Sequence, residues 1–395
     1  MMITQEQVET FKIPLANNKK KIRILGTGFC GFIGSHFVEH LLKETNWEIV
    51  ILDRLDISGN LERLRDISIW EQEKHRVKFI WWDLKAPLNS FVKKDIGEVD
   101  YIWHLAASSH VDRSIEDPLS FVMDNVVGTC NLLNFARTLK DLELFIYFST
   151  DEVFGPAPEG VLYKEWDRYK AGNPYAASKA GAEELCIAFE NTYKLPIIVT
   201  HTMNCVGERQ HPEKFIPMCI RKILAGEVIT IHADKTKTKS GSRFWIHARN
   251  VCQALLFLTD IYYIKSNPMW RIKRKIKPEL LTETEPGQII NVSSVYDIEK
   301  IPTIEVEFGD KYNIVGEKEV SNLELAQFIA RVIGKKLKYE MVDFHSSRPG
   351  HDLRYSLDGT KMKEMGWQLP KTFEQSLAKT IKWYLKPENK KWLNL

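Results

Sequence analysis

Two short runs carry side chains that can do chemistry: Ser149-Thr150-Asp151-Glu152 and Tyr175-Ala176-Ala177-Ser178-Lys179. Tyr175 and Lys179 stand one helical turn apart and share a face. A phenol ionises near ~10 in water, and a neighbouring ammonium favours the phenolate, which would make Tyr175 a usable base. Asp151 and Glu152 place two carboxyl groups side by side. An elimination needs one ionised and one protonated, the first to remove a proton and the second to protonate a leaving hydroxyl. Both runs also have plainer readings. Tyr-x-x-x-Lys is common in amphipathic helices, and Asp151 could cap a turn while Glu152 stays at the surface.

The elements around these runs favour chemistry. Candidate strands are Lys21–Gly26, Glu48–Asp53, Val77–Asp83, Tyr101–Leu105, Leu144–Ser149 and Pro196–His201. Candidate helices include Ile33–Lys43, Pro118–Leu139 and Pro174–Tyr193, the last two apolar on both sides, as packing on a sheet and on a second subunit requires. The alternation predicts an α/β, Rossmann-type doubly wound parallel sheet over residues 1–203. A smaller, interleaved substrate lobe is expected over 204–395, with an insertion at about 263–308. Ile289–Val295 and Thr303–Phe308 read as strands of that insertion, beside the basic cluster Arg271–Lys275. The acidic run then ends a strand, and strand ends in such sheets face the ligand crevice.

Between the first strand and first helix lies Gly28-Phe29-Cys30-Gly31-Phe32-Ile33-Gly34. Glycines there permit a tight turn and close approach to a pyrophosphate, which meets the free N–H groups of the helix N-terminus. Asp53 ends the second strand, where a carboxylate binds ribose hydroxyls and disfavours a 2′-phosphate, so NAD is expected over NADP. Arg54, beside it, pulls the other way, since arginine accommodates that phosphate. The charge on a bound nicotinamide would add to that of Lys179 in favouring the Tyr175 phenolate.

Composition narrows the partners. With 395 residues, 44% hydrophobic, and 55 basic against 52 acidic side chains, the chain reads as an ordinary globular protein with no electrostatic case for nucleic acid. Lys19-Lys20-Lys21 reads as a solvated lead-in to the first strand. The six cysteines form no C-x-x-C pair, Met1–Lys20 lacks an apolar signal core, and no run reaches membrane-spanning length. A reducing, cytoplasmic setting without membrane attachment is expected. The 11 histidines lack ligand spacing, so no metal is expected.

Further runs make the chain resemble a known family. They include Gly31-Phe32-Ile33-Gly34-Ser35-His36, Ser58-Gly59-Asn60-Leu61, His104-Leu105-Ala106-Ala107, His110-Val111-Asp112-Arg113-Ser114, Pro212–Pro217 and Arg348-Pro349-Gly350-His351-Asp352. With Ser149–Gly155 they resemble the extended short-chain dehydrogenase/reductases, and within these the dTDP-glucose 4,6-dehydratases, from about Lys20 to Trp392. The resemblance implies a lyase that converts a nucleotide-linked hexose to its 4-keto-6-deoxy form. It makes Tyr175, with Lys179 and Thr150, the base at the sugar 4-hydroxyl, Glu152 the base at C5 and Asp151 the acid at the 6-hydroxyl. NAD would be held by Gly28, Gly31, Phe32, Ile33, Gly34, Asp53, Asp83, Leu84, Ala106, Tyr175 and Lys179. Substrate would meet Ser109, Thr150, Asn204, Lys214, Arg243, Arg348 and His351. A homodimer through the helices at Pro118–Leu139 and Pro174–Tyr193 is expected.

Departures from the family pattern surround the substrate. Ser108 replaces a common glutamate, Asn204-Cys205-Val206-Gly207 replaces Asn-Asn-Tyr-Gly, and Arg243-Phe244-Trp245 follows an extra Lys235–Ser240 stretch. Lys318 stands where bacterial dTDP-glucose enzymes usually have asparagine, as in plant-type UDP-glucose enzymes. UDP-glucose, UDP-N-acetylglucosamine and dTDP-glucose therefore stay open, as does the configuration at C5. Two other functions remain: a 4-epimerase, against which the Asp151-Glu152 pair argues, and a non-catalytic NAD sensor, against which the intact Tyr175 and Lys179 argue.

Overall fold

The computed structural model describes residues 21–266, 306–343 and 354–394. Seven strands form one parallel sheet: β1 (Arg23–Thr27), β2 (Glu48–Asp53), β3 (Val77–Trp81), β4 (Tyr101–His104), β5 (Leu144–Thr150), β6 (Ile197–Thr202) and, much later in the chain, β10 (Lys311–Ile314). Their spatial order is β3-β2-β1-β4-β5-β6-β10, with every neighbouring pair parallel. This is the doubly wound α/β sheet that the alternation predicts, with strand limits within two residues of those read from the sequence.

The inner strands β1, β2, β4 and β5 are largely apolar because both faces of the sheet are covered there. Ile24, Ile49, Ile51, Trp103, Ile146 and Ile198 face one layer, with α1 (Phe32–Glu44) and α5 (Ala248–Ser266). Leu25, Val50, Leu52, Ile102, Phe145 and Val199 face the other, with α2 (Pro118–Ala136) and α3 (Pro174–Tyr193). The alternation is the two-residue period of a strand.

Where one helix over Pro118–Leu139 is expected, α2 runs α-helical over Pro118–Phe121, widens to π-type turns over Val122–Val127, and continues α-helical over Gly128–Ala136. Such widened turns concentrate at functional sites.

A second core joins α4 (Phe215–Ala225), α6 (Asn322–Ile333) and α7 (Phe373–Leu385) to the two-stranded sheet of β8 (Ile229–Ala233) and β12 (Tyr339–Asp343). A three-stranded sheet of β7 (Asn204–Val206), β9 (Ser242–His247) and β11 (Glu319–Ser321) lies beside it. Ser321 and Thr372 cap α6 and α7 with reciprocal capping boxes.

The expected strand Ile289–Val295 and basic cluster Arg271–Lys275 lie outside the described residues. Of Thr303–Phe308 only Val306–Phe308 are described, and these form no strand. All six cysteines are free thiols. Among the described residues no helix is long and apolar enough to cross a membrane, and no group of three His, Cys, Asp or Glu could hold a metal ion.

Candidate active site

The C-terminal strand ends open into one cleft of about 540 Å³, at the place where doubly wound sheets bind ligands. Its floor at one end is the glycine turn. Gly28 has φ +72°, and a Cβ there would lie 2.7 Å from the Ala106 backbone nitrogen. At Gly34 a Cβ would lie 2.4 Å from both the Gly28 carbonyl oxygen and Phe29 Cα. The turn therefore fits strand, helix and neighbouring loop together with no room for side chains. Gly34→Ala should lower stability by about 3 kcal/mol or more, because backbone rather than a movable side chain blocks the methyl group; the shift in a denaturant midpoint checks this. Phe32, Ile33, Asp83, Leu84 and Ala106 line the same end.

Asp53 is buried at the end of β2, where its carboxylate accepts from the backbone N–H of Cys30 (3.0 Å) and Leu55 (2.9 Å). Burial pushes its pKa up, and these two bonds oppose the shift. The adjacent Arg54 turns its guanidinium onto Asp124, in the widened part of α2, with bonds of 2.6 and 2.7 Å. Its remaining donors reach Asp56 at 2.8 and 3.1 Å.

The acidic run sits at the cleft's centre. Thr150 ends β5, and its hydroxyl donates to Asp151 Oδ1 (3.0 Å) and accepts from the Glu152 N–H (3.3 Å). Asp151 is 3% exposed, and its Oδ2 makes no hydrogen bond within the protein. Burial, then the charge of Glu152, push its pKa up to about 7, against the pull of Arg243 and Thr150. Glu152 is half-buried and accepts a 3.1 Å bond from Asn173 Nδ2. Two adjacent carboxyls thus occupy different environments, the arrangement that separates an acid from a base.

Tyr175 and Lys179 enter from the first turns of α3. Asn173 caps that helix by accepting from the Ala176 N–H (2.8 Å), with Pro174 in the first turn. The sequence argument favours a phenolate at Tyr175, but burial and the charge of Glu152 raise its pKa, outweighing the bond from Thr150. Burial lowers the Lys179 pKa to about 7; its ammonium donates to the Phe148 carbonyl at 2.7 Å and lies 4.3 Å from the Tyr147 ring centroid. In the protein by itself Tyr175 is a neutral phenol.

A buried network props the acidic run from behind. Phe154 packs against Tyr163, Tyr169 and His201, with ring centroids 5.5, 5.1 and 4.9 Å away. Beneath it Glu183, one turn beyond Lys179 on α3, meets His201 (3.1 Å), Lys311 of β10 (2.9 Å) and the Tyr169 hydroxyl. Sequence reasoning missed this network because its members come from four separate elements. Asn173 was within reach, since Asn before Pro at a helix start is a capping signature.

Toward the other end the cleft is lined by Ser109, Asn204, Lys214 and Arg243, and by His232, Trp245, Asn322 and Tyr355, which sequence reasoning did not single out. The Arg243 guanidinium lies 4.7 Å above the Tyr355 ring. Arg348 and His351 fall outside the described residues. Lys318 does not line the cleft; it pairs with Glu374 at the surface, 2.7 Å away.

Comparison with known proteins agrees with the fold. Residues 25–380 match the family model described as GDP-mannose 4,6 dehydratase. The chain is 33% identical to an Escherichia coli dTDP-glucose 4,6-dehydratase, covering 94% of this chain and 95% of that one. Its fold superposes on the dTDP-glucose 4,6-dehydratase of Streptomyces venezuelae, solved with NAD bound, with TM-score 0.73 and 30% identity over 94% and 98% of the two chains. Thermus thermophilus UDP-glucose 4-epimerase, at 24% identity and TM-score 0.69 over 91% and 98%, shares the fold. The chain belongs to the GDP-mannose 4,6 dehydratase family of extended short-chain dehydrogenase/reductases.

Proposed function

We propose that the chain removes water from a nucleotide-linked hexose, yielding the 4-keto-6-deoxy sugar. The observation that carries this reading is Asp151: a buried carboxyl that holds its proton up to about pH 7, with one oxygen unpartnered, beside Glu152 in the cleft that holds Tyr175. A 4-epimerase has no use for such a proton donor.

The glycine turn, held tight because a Cβ at Gly28 or Gly34 would strike backbone, and the carboxylate of Asp53 at its edge fit a dinucleotide with free ribose hydroxyls. Gly28, Gly31 and Gly34 would hold its pyrophosphate, with Phe32, Ile33, Asp53, Asp83, Leu84 and Ala106 around the remainder. Bound there, NAD would supply the hydride acceptor needed at C4 and the hydride donor needed at C6.

The protein's own groups move the protons. Tyr175 would first give up its own proton to solvent, its phenolate favoured by Lys179, Thr150 and the positive charge of a bound nicotinamide, and would then take the proton of the 4-hydroxyl. A ketone at C4 makes the C5 proton acidic, and Glu152, oriented by Asn173, removes it. Asp151 protonates the 6-hydroxyl, which leaves as water. Glu152 returns its proton to C5, while solvent carries the excess proton from Tyr175 to Asp151. Arg243 and Lys214, together with Arg348 and His351, would bind the diphosphate and nucleotide, and Ser109 and Asn204 the sugar side.

The test is to incubate the protein with dTDP-glucose, UDP-glucose, UDP-N-acetylglucosamine and GDP-mannose separately and read product masses. Loss of one water from at least one establishes the reaction and its substrate. Isomerisation without mass loss would overturn the reading. The similarity to dTDP-glucose enzymes puts dTDP-glucose first in that series.

A homodimer joined through α2 and α3 completes the proposal. Leu119, Val122 and Met123 on α2 are 68, 43 and 37% exposed, apolar side chains of the kind that pair across a two-fold axis. Light scattering should give twice the chain mass, and Leu119→Glu with Met123→Glu should give the monomer.

A further inference from the structure

Arg54 stands where an arginine can take up the 2′-phosphate of NADP, yet its donors are already engaged. Nη1 and Nη2 form a two-pronged pair with Asp124 (2.6 and 2.7 Å), while Nε and Nη2 hold Asp56 (3.1 and 2.8 Å). Asp83 lies 3.5 Å from Nη1. All three nitrogens of the guanidinium therefore meet carboxylates. Asp124 is fixed in turn, because Ser108 Oγ donates to its Oδ2 at 2.5 Å.

Charge reinforces geometry. Asp53, Asp56, Asp83 and Asp124 surround two cations, Arg54 and Lys85, the latter 3.4 Å from Asp83 and 3.9 Å from Asp124. With Arg63, bonded to the Cys30 and Ser58 carbonyls at the same end, four carboxylates face three cations, so this end of the cleft carries one net negative charge before any ligand arrives. A 2′-phosphate adds up to two more, with no donor released to receive them.

We propose that Asp56 and Asp124 are specificity residues which, by occupying Arg54, make the cleft select NAD and reject NADP. Asp53 alone would disfavour the phosphate; the two further carboxylates withdraw Arg54, the arginine adjacent to it. The inference rests on the dinucleotide reading of the cleft.

The experiment uses the protein as purified. Wild type and variants are equilibrated with an equimolar mixture of NAD and NADP, desalted and denatured, and the released dinucleotides are quantified by mass spectrometry. Asp56→Asn and Asp124→Asn keep an acceptor oxygen at each site and remove one charge each. Each should shift the NADP:NAD ratio toward NADP by about tenfold, and the pair by roughly a hundredfold. Adding Arg54→Ala to the pair should abolish the gain, which general loosening of the loop would not do. Asp56 is exposed, so its single variant keeps the test open if the double variant folds poorly. A double variant that still carries NAD alone would overturn the inference and leave Asp53 as sole determinant. Wild type carrying NADP would overturn it while sparing the dinucleotide reading; wild type carrying neither would sink both.

Discussion

Replacing Tyr175 by phenylalanine should reduce turnover by about 10³-fold or more, with substrate affinity changed only a fewfold. The argument is one of position and ionisation together. Tyr175 lies in the cleft beside Glu152, buried, with its pKa above the ordinary phenol value. In that state it is a poor base, and a nearby positive charge must lower its pKa before it can act. Phenylalanine keeps the ring's packing against Phe121, 6.4 Å away, so the fold should survive. Because the tyrosine acts before any other step, oxidation at C4 and loss of water should fail together. Full turnover by the variant would remove Tyr175 from the mechanism; mass spectrometry and reduced-nicotinamide absorbance, read on one sample, decide it.

Asp151→Asn and Glu152→Gln should fail later. Each should lower dehydration by about 10²–10⁴-fold while C4 oxidation proceeds, so that reduced cofactor accumulates on the enzyme. Dehydration at the normal rate would show that these carboxyls do not serve as acid and base. The pH dependence has a definite sign. Asp151 must carry a proton to donate it, and its pKa lies at about 7, so elimination should fall as pH rises through about 7. The same shift bears on stability. The folded-state pKa is raised above the unfolded one, so the penalty of burying Asp151 is absent below the unfolded value of ~4, grows between there and 7, and is complete above. Asp151→Asn should therefore melt higher than wild type at pH 8, by an amount equivalent to a few kcal/mol, with the difference shrinking toward pH 4. A difference independent of pH would deny the raised pKa.

The sheet was legible in the sequence because parallel strands covered on both faces read as unbroken apolar runs, as in Glu48–Asp53. The glycine turn was legible because three glycines mark places where backbone meets backbone. Tyr175, Lys179 and the acidic run were legible as types at spacings. Their protonation was not: how deeply Tyr175 and Asp151 lie depends on what packs over them, and burial reversed the ionisation expected for the phenol. The role of Arg54 was hidden for another reason. Its partner Asp124 is 70 residues away, in turns whose widening no local pattern announces. The Lys311–Tyr169 contact spans 142 residues and joins segments that show no mutual signal in one sequence.

Because β10 comes from residues 311–314, a growing chain that has reached residue 203 owns six strands and an incomplete edge. At typical synthesis rates the seventh strand follows about 5–20 s later. During that interval β6 offers unpaired backbone to any other strand, and Glu183 lacks the Lys311 ammonium that balances it. The first half of the chain therefore reaches the ribosome's exit before it can be a stable body, and a truncation at 203 should aggregate rather than bind dinucleotide. The sheet that places the acidic run gains its last strand only after Asn204, Lys214, His232, Arg243 and Trp245 have been made, so most of the cleft's lining exists before the sheet that supports it is complete.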